Sequence, residues 1–241
     1  MSTPPAGWRL LVHDQLPSTA DVVRQRAEAG EGERLAVLAF RQTAGRGTHG
    51  RAWESPPGNL YLSVLLRPDA TAREVPQWSL LAAVALHDAL VPWAGAGLTL
   101  KWPNDLLLGG AKCAGILAEA SLDAAGRLDW LAFGFGVNLA HAPEVPGRAT
   151  AALPPPAPGP EEAAAAVMAS LDRWRALRDA EGFELIRAAW LSRGHQQGAA
   201  LTVTTGGAPL AGLFEGLDET GALRLRTEAG LRTVITGQVD A

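Results

Sequence analysis

The chain has 241 residues, 47% of them hydrophobic and 19% charged, with a formal net charge of -4 and a pI of about 5.7. This composition supplies a core for one large domain, or a domain plus a small companion, and excludes general disorder and a whole-surface basic footprint for nucleic acid. A single cysteine, Cys113, excludes an internal disulfide framework or a cysteine-based zinc site, and five scattered histidines form no ligand pair at helical spacing.

The start, Met1-Ser2-Thr3-Pro4-Pro5, lacks the basic-then-apolar pattern of a signal peptide. No apolar stretch approaches the roughly 20 residues that cross a bilayer, so a cytoplasmic protein without membrane partners is expected. Residues 8–12 read as a first strand, and a helix-like stretch follows. The apolar run 35–40 reads as a buried strand leading into a glycine- and arginine-rich loop at 45–51. Residues 60–66 read as another strand, stopped by Arg67-Pro68, and the Ala/Leu-rich stretch 78–90 as a helix.

Strands at 98–101 and 106–108 flank the turn-like Trp102-Pro103-Asn104-Asp105, and Gly109-Gly110 marks a tight turn into a strand at 113–119. Residues 128–139 read as a strand in which Gly134 and Gly136 mark close approach of a backbone or ligand. The prolines at 154, 155, 156, 158 and 160 read as an extended connection. Helices are expected at 161–177 and 181–192. From about residue 200, short alternating pieces separated by glycine turns read as a small all-β barrel. The expected class is α+β: a mixed β-sheet with helices over residues 1–195, and a small C-terminal β-barrel over 196–241.

Gly45-Arg46-Gly47-Thr48-His49-Gly50 matches the G-x-G-x-x-G string and follows a strand. A dinucleotide site would need a helix opening right behind the glycines to carry the pyrophosphate. Residues 51–58, Arg-Ala-Trp-Glu-Ser-Pro-Pro-Gly, cannot form one. The loop does offer backbone N–H groups and positive charge: from Arg34 to Trp53 there is no carboxylate, while Arg34, Arg41, Arg46 and Arg51 all lie there. That reads as an electropositive island for phosphates or carboxylates. A second constellation joins Lys101, Asn104 and Asp105 to Lys112 around two turns. Lys112 can place a point charge between two anionic groups, and Asn104 and Asp105 offer oxygens of the kind a nucleotide-bound Mg²⁺ accepts.

The run from Gln42 to Trp53, with Ser55-Pro56 and Asn59-Leu60-Tyr61-Leu62-Ser63, resembles the signature of biotin–protein ligases. So do Lys101-Trp102-Pro103-Asn104-Asp105, Lys112 with Ala114-Gly115-Ile116-Leu117 and Glu119, the Gly134, Gly136, Asn138 segment, and Ala149-Thr150 with Leu153. The tail resembles the family's SH3-like C-terminal domain. The resemblance runs from about residue 18 to 239 and implies a class II synthetase-like catalytic domain. It also implies ATP-dependent activation of biotin to biotinyl-5′-AMP, then transfer to a lysine of a biotin carboxyl carrier domain of a carboxylase.

By that resemblance Ser18, Thr19, Gln42, Gly45, Gly47, Thr48, Gly115, Leu117, Gly134 and Gly136 line a biotin site. Arg46 folds over it and acts with Lys112, the expected catalytic residue, which also contacts biotin. Arg51, Trp53, Asn104, Asp105 and Asn138 serve ATP. Mg²⁺ arrives with ATP near Asp105, with no metal site built from protein alone. Two positions depart from the family: Ala20 removes one polar contact at the biotin end. Thr48 stands where a second arginine associated with holding the adenylate is common, which implies easier escape of that intermediate. The core starts almost at residue one, leaving no room for the helix-turn-helix of repressor members, so neither DNA binding nor repression is expected. A lipoate– or octanoate–protein ligase and a non-catalytic biotin or nucleotide sensor remain as alternatives. An exposed strand edge leaves a homodimer open.

Overall fold

A computed structural model describes residues 3–239, with the His49 side chain excepted. Seven strands form the main sheet: β1 (Arg9–His13), β2 (Leu35–Ala39), β3 (Leu60–Leu66), β4 (Leu98–Lys101), β5 (Asp105–Leu108), β6 (Ala111–Leu122) and β7 (Leu128–Val137). Their order is β1-β2-β3-β7-β6-β5-β4, parallel between β1 and β2 and antiparallel elsewhere. Helices α1 (Thr19–Glu28), α2 (Val75–Ala94), α3 (Pro160–Glu181) and α4 (Phe183–Leu191) pack around it.

Strand alternation decides which face receives which helix. Leu60, Leu62, Val64 and Leu66 of β3, with Leu131, Phe133, Phe135 and Val137 of β7, join the core that also holds α2 and α3. On the opposite face Leu65, Trp130 and Ala132 pack with Val23 and Ala27 of α1. α1 has only ten residues and covers only part of that face. Beyond it the strands carry Tyr61, Ser63, Gly134 and Gly136, and there the sheet floors a pocket.

α2 runs from Val75 to Ala94, longer than the 78–90 expected, because Pro76 is tolerated in its first turn and Pro92 in its last. With its flanks (72–97) it holds an 18-residue window of mean hydropathy 1.4 and is long and apolar enough to cross a membrane, which corrects the expectation that no stretch reaches that length. It is the core helix, apolar nearly all round, packed against α3, α4 and β4. One carboxylate on it, Asp88, accepts from Arg193 Nε (2.9 Å), Arg173 Nη2 (2.8 Å) and Trp174 Nε1 (3.2 Å), tying α2 to α3 and to the end of α4.

Gly109 and Gly110 have φ of 57° and 85°, the left-handed pair that closes a two-residue hairpin between β5 and β6. Gly182 (φ 83°) separates α3 from α4, so Glu181 ends the former rather than starting the latter. The C-terminal strands are β8 (Ala200–Thr205), β9 (Ala208–Leu217), β10 (Leu223–Thr227), β11 (Gly230–Val234) and β12 (Gln238–Val239), in one antiparallel sheet of order β11-β10-β9-β8-β12. It docks through the β9–β10 turn, where Gly221 O accepts from Trp102 Nε1 (3.4 Å) and a Cβ at Gly221 would press on Leu80. The whole is α+β with a small β unit behind the main sheet.

Candidate active site

The sheet register sets the site floor. Asp105, Gly115, Gly136 and Tyr61 lie opposite one another across β5, β6, β7 and β3, and Leu117, Gly134 and Ser63 form the next row. The glycines are there for space. A Cβ at Gly136 would come within 2.5 Å of the Trp53 indole, and one at Gly115 within 3.2 Å of both Trp53 and Lys112 Nζ. Trp53 therefore lies flat over a strip of bare backbone.

The loop from 42 to 55 is knitted onto this floor. Trp53 N donates to Gly45 O (2.9 Å), and a side chain at Gly45 would run into the Trp53 carbonyl. Among the described residues only a three-residue 3₁₀ turn, Thr48–Gly50, lies within the loop, and extended chain follows, so no helix opens behind the glycines. Gln42 Oε1 accepts from Thr19 N (2.8 Å) and Thr19 Oγ1 (3.1 Å), and its Nε2 donates to Ser55 Oγ (3.0 Å). Thr19 Oγ1 also meets Ser63 Oγ at 2.8 Å. This polar wall is oriented by a continuous chain of hydrogen bonds from Ser63 through Thr19 and Gln42 to Ser55, which fixes which way its amide faces.

Ser18, Thr19, Ala20, Gln42, Arg46, Gly47, Thr48, Trp53, Asn104, Lys112, Gly115, Leu117, Gly134 and Gly136 line one partly enclosed pocket with a free volume of about 50 Å³. Ser63 and Tyr61 line it as well. Sequence reasoning missed both as site residues, although their period-two placement among Leu60, Leu62 and Val64 was a legible signal. Trp53 and Asn104, expected on the ATP side, thus border the enclosed pocket too. Trp53 Nε1 and Arg46 Nε are buried there without hydrogen-bond partners.

Lys112 also lines an open cleft of about 450 Å³ with Arg51, Trp53, Asn138 and Arg148. A neighbouring cleft of about 330 Å³ contains Arg51, Asn104, Asp105, Arg148 and residues 236–239 of the C-terminal sheet. Lys112 is paired with Asp105, and its ammonium lies 5.5 Å from the Trp53 ring centre. Burial lowers its pKa and the Asp105 carboxylate counters that, while Arg148 and Arg51 push it down further. Asn138 is almost fully buried and gives its amide to Ala151 O (3.0 Å) and Lys112 O (3.5 Å), so it holds the backbone of the lysine. Asn104 braces its turn in the same manner, with Nδ2 donating to Ile116 O (2.7 Å).

The electropositive island read at 34–53 is divided by the fold. Arg34 pairs with Asp172 on α3, away from the site. Arg46 is held by Glu119 Oε2 (2.8 Å) and Asp21 Oδ1 (3.0 Å), which ties the loop to β6 and α1. Of the four arginines only Arg51 opens onto the clefts, and Arg148, which no motif marked, joins it. His195 is a second unmarked residue. Its Nε2 accepts from Trp102 N (3.2 Å), and its ring sits between Trp190 and Phe214 (centroids 5.9 and 5.5 Å). Burial, with Lys101 adding to it, lowers its pKa to about 4, so the neutral ring is an acceptor for the backbone of the Trp102–Asp105 turn. Cys113 is a fully buried thiol, raised to about 12 by burial, and plays no exposed chemical part.

The chain matches the Biotin/lipoate A/B protein ligase family over residues 12–138 and the Biotin protein ligase C terminal domain over 198–240. It is 43% identical to a biotin–[acetyl-CoA-carboxylase] ligase of Paracoccus denitrificans, over 84% of this chain and 88% of that protein. Among solved structures, biotin protein ligase from Aquifex aeolicus in complex with biotin and ATP superposes with a TM-score of 0.81 at 25% identity, covering 96% of this chain and 97% of that one. Biotin protein ligase from Leishmania major in complex with biotinyl-5-AMP gives 0.65 at 26%, covering 97% and 100%. With its glycine-floored pocket, its buried lysine and these matches over nearly its whole length, the chain belongs to the biotin protein ligase family and is a ligase.

Proposed function

We propose that the chain joins biotin to ATP as biotinyl-5′-AMP and then passes biotin to a lysine of a biotin carboxyl carrier domain of a carboxylase. The observation that carries this is the position of Lys112, whose side chain borders both the enclosed pocket and the open cationic cleft. The Aquifex and Leishmania proteins, whose structures hold biotin with ATP and biotinyl-5-AMP, support it.

In the first step a biotin carboxylate oxygen attacks the α-phosphorus of ATP, the bond to the β-phosphate oxygen breaks, and pyrophosphate leaves. In the second, the neutral amine of the acceptor lysine attacks the biotinyl carbonyl, the bond to the phosphate oxygen breaks, AMP leaves, and the amine proton passes to solvent. Neither step needs an enzyme nucleophile. Catalysis rests on holding two anions in contact and offsetting their charge. The wall of Thr19, Gln42 and Ser63 addresses the polar ring of biotin, and Trp53 covers the apolar remainder. The unpartnered Trp53 Nε1 and Arg46 Nε are donors that a bound ligand can satisfy. Lys112 places its charge where carboxylate and α-phosphate meet.

Asp105 is the one carboxylate lining the cationic cleft of 330 Å³, and among the described residues no group of three metal-ligating side chains occurs. A single carboxylate fits Mg²⁺ only as the ion the nucleotide carries, where it would offset charge on the phosphates. The test is biotin-dependent ATP–pyrophosphate exchange. Exchange with biotin alone supports the proposal, exchange driven by lipoate supports the related lipoate ligases, and none with either supports a binding protein.

A further inference from the structure

We propose that Arg148 is a phosphate-holding residue that, with Arg51, grips the pyrophosphate end of the nucleotide on the open side of Lys112. The inference rests on the ATP-dependent reaction above and adds to it a residue outside every motif.

Three observations converge on this arginine. First, Arg148 lines both clefts that open beside Lys112: the one with Trp53 and Asn138, and the one with Asn104 and Asp105. Arg51 is its companion in both. Second, neither has a carboxylate partner among the described residues, although Arg46, Arg34, Arg173, Arg178 and Arg193 all do. Unpaired guanidinium groups flanking a cleft are what a multiply charged anion requires. Third, the loop that carries Arg148 is registered on the lysine itself. Lys112 N donates to Ala149 O (2.9 Å) and Ala151 N to Lys112 O (3.0 Å), while Thr150 Oγ1 anchors to Pro143 O (2.6 Å).

The local charge balance is positive. Across the two clefts Arg51, Lys101, Lys112 and Arg148 stand against Glu54, Asp105 and Glu144, and Lys112 and Asp105 pair with each other. The electrostatic influence of Arg148 on Lys112 places the two charges within reach of one another.

The test compares the full chain with Arg148→Gln and Arg148→Lys in biotin-dependent exchange, with melting temperature as the control for folding. In Arg148→Gln the KM for ATP and for pyrophosphate should rise about 10-fold or more, the scale of one lost charge-assisted hydrogen bond. The KM for biotin should move less than about 2-fold, and Arg148→Lys should recover part of the loss, since lysine keeps the charge but not the fork. Unchanged KM values for ATP and pyrophosphate, or an equal rise for biotin, would overturn the assignment. If the wild type shows no exchange, the proposed reaction fails and Arg148 is read directly. Calorimetric titration of ATP and of inorganic pyrophosphate then supports the site if Arg148→Gln binds more weakly, and refutes it if binding is equal.

Discussion

The Asp105 carboxylate pairs with the Lys112 ammonium across the β5–β6 hairpin, so the one lysine of the pocket faces a carboxylate that the Gly109-Gly110 turn brings back alongside it. Burial and the two nearby arginines push the lysine toward losing its proton, and Asp105 opposes them. On the proposed reaction the lysine acts as a cation, so the activity should fall as pH rises through its pKa. In Asp105→Asn the opposing charge is gone and that pKa drops further. The alkaline limb of the pH profile should move to lower pH than in the wild type, as measured by exchange between pH 6 and 10. A limb that stays in place would separate Asp105 from Lys112 ionisation.

Trp53 and Gly136 occupy the same space. Gly136→Ala should force the indole off the floor, costing roughly 1–3 kcal/mol as overpacking and raising the KM for biotin. Trp53→Ala makes the alanine at 136 harmless, so the two substitutions should be strongly non-additive. A thermodynamic cycle on stability and KM checks this, and additive effects would place Trp53 elsewhere.

Asp88 binds α2 to α3 and α4. Burial acts to raise its pKa, but hydrogen bonds from His87 and Arg193 outweigh it and hold the carboxyl well below the usual range. Such a group stabilises the fold fully above its unfolded pKa of about 3.9. That contribution disappears as pH falls through the folded value. Asp88→Ala should cost roughly 1–3 kcal/mol, since it removes the carboxylate that the half-buried Arg193 and the Trp174 indole donate to. Denaturant titration should show a large deficit near neutral pH that narrows as acid protonates Asp88 in the wild type.

Thr48 stands where the enclosed pocket meets both clefts, and Arg51 Nη2 donates to its hydroxyl (3.2 Å). On the proposed reaction, a second arginine there adds charge over the adenylate. Thr48→Arg should reduce biotinylation of bystander proteins relative to the acceptor, measured by blotting a mixed reaction. Equal bystander labelling in both forms would remove Thr48 from any part in retention.

Much of the site was legible because its chemistry is local in sequence. The glycine loop, the Trp102–Asp105 turn and the Gly109-Gly110 hairpin each announce a backbone requirement, and Lys112 stands out as a charge beside an apolar strand. What was not legible depends on residues brought together across the sheet. The partners of Arg46 come from α1 and from β6, the latter 73 residues away, so its charge could not be seen to be spent on Glu119 and Asp21. Arg34 seemed part of the loop's charge until the fold turned it toward α3. His195 acts through a backbone amide 93 residues distant, and no local pattern encodes that.

The most direct measurement of the central claim is biotin-dependent ATP–pyrophosphate exchange in Lys112→Ala, with biotin and ATP binding and melting temperature recorded on the same preparation. Removing a preorganised charge from the reacting centre should lower exchange by about 100-fold or more, while the protein stays folded and still binds each substrate. Exchange within about 2-fold of the wild type would show that Lys112 does not bridge the two anions, and would contradict the account.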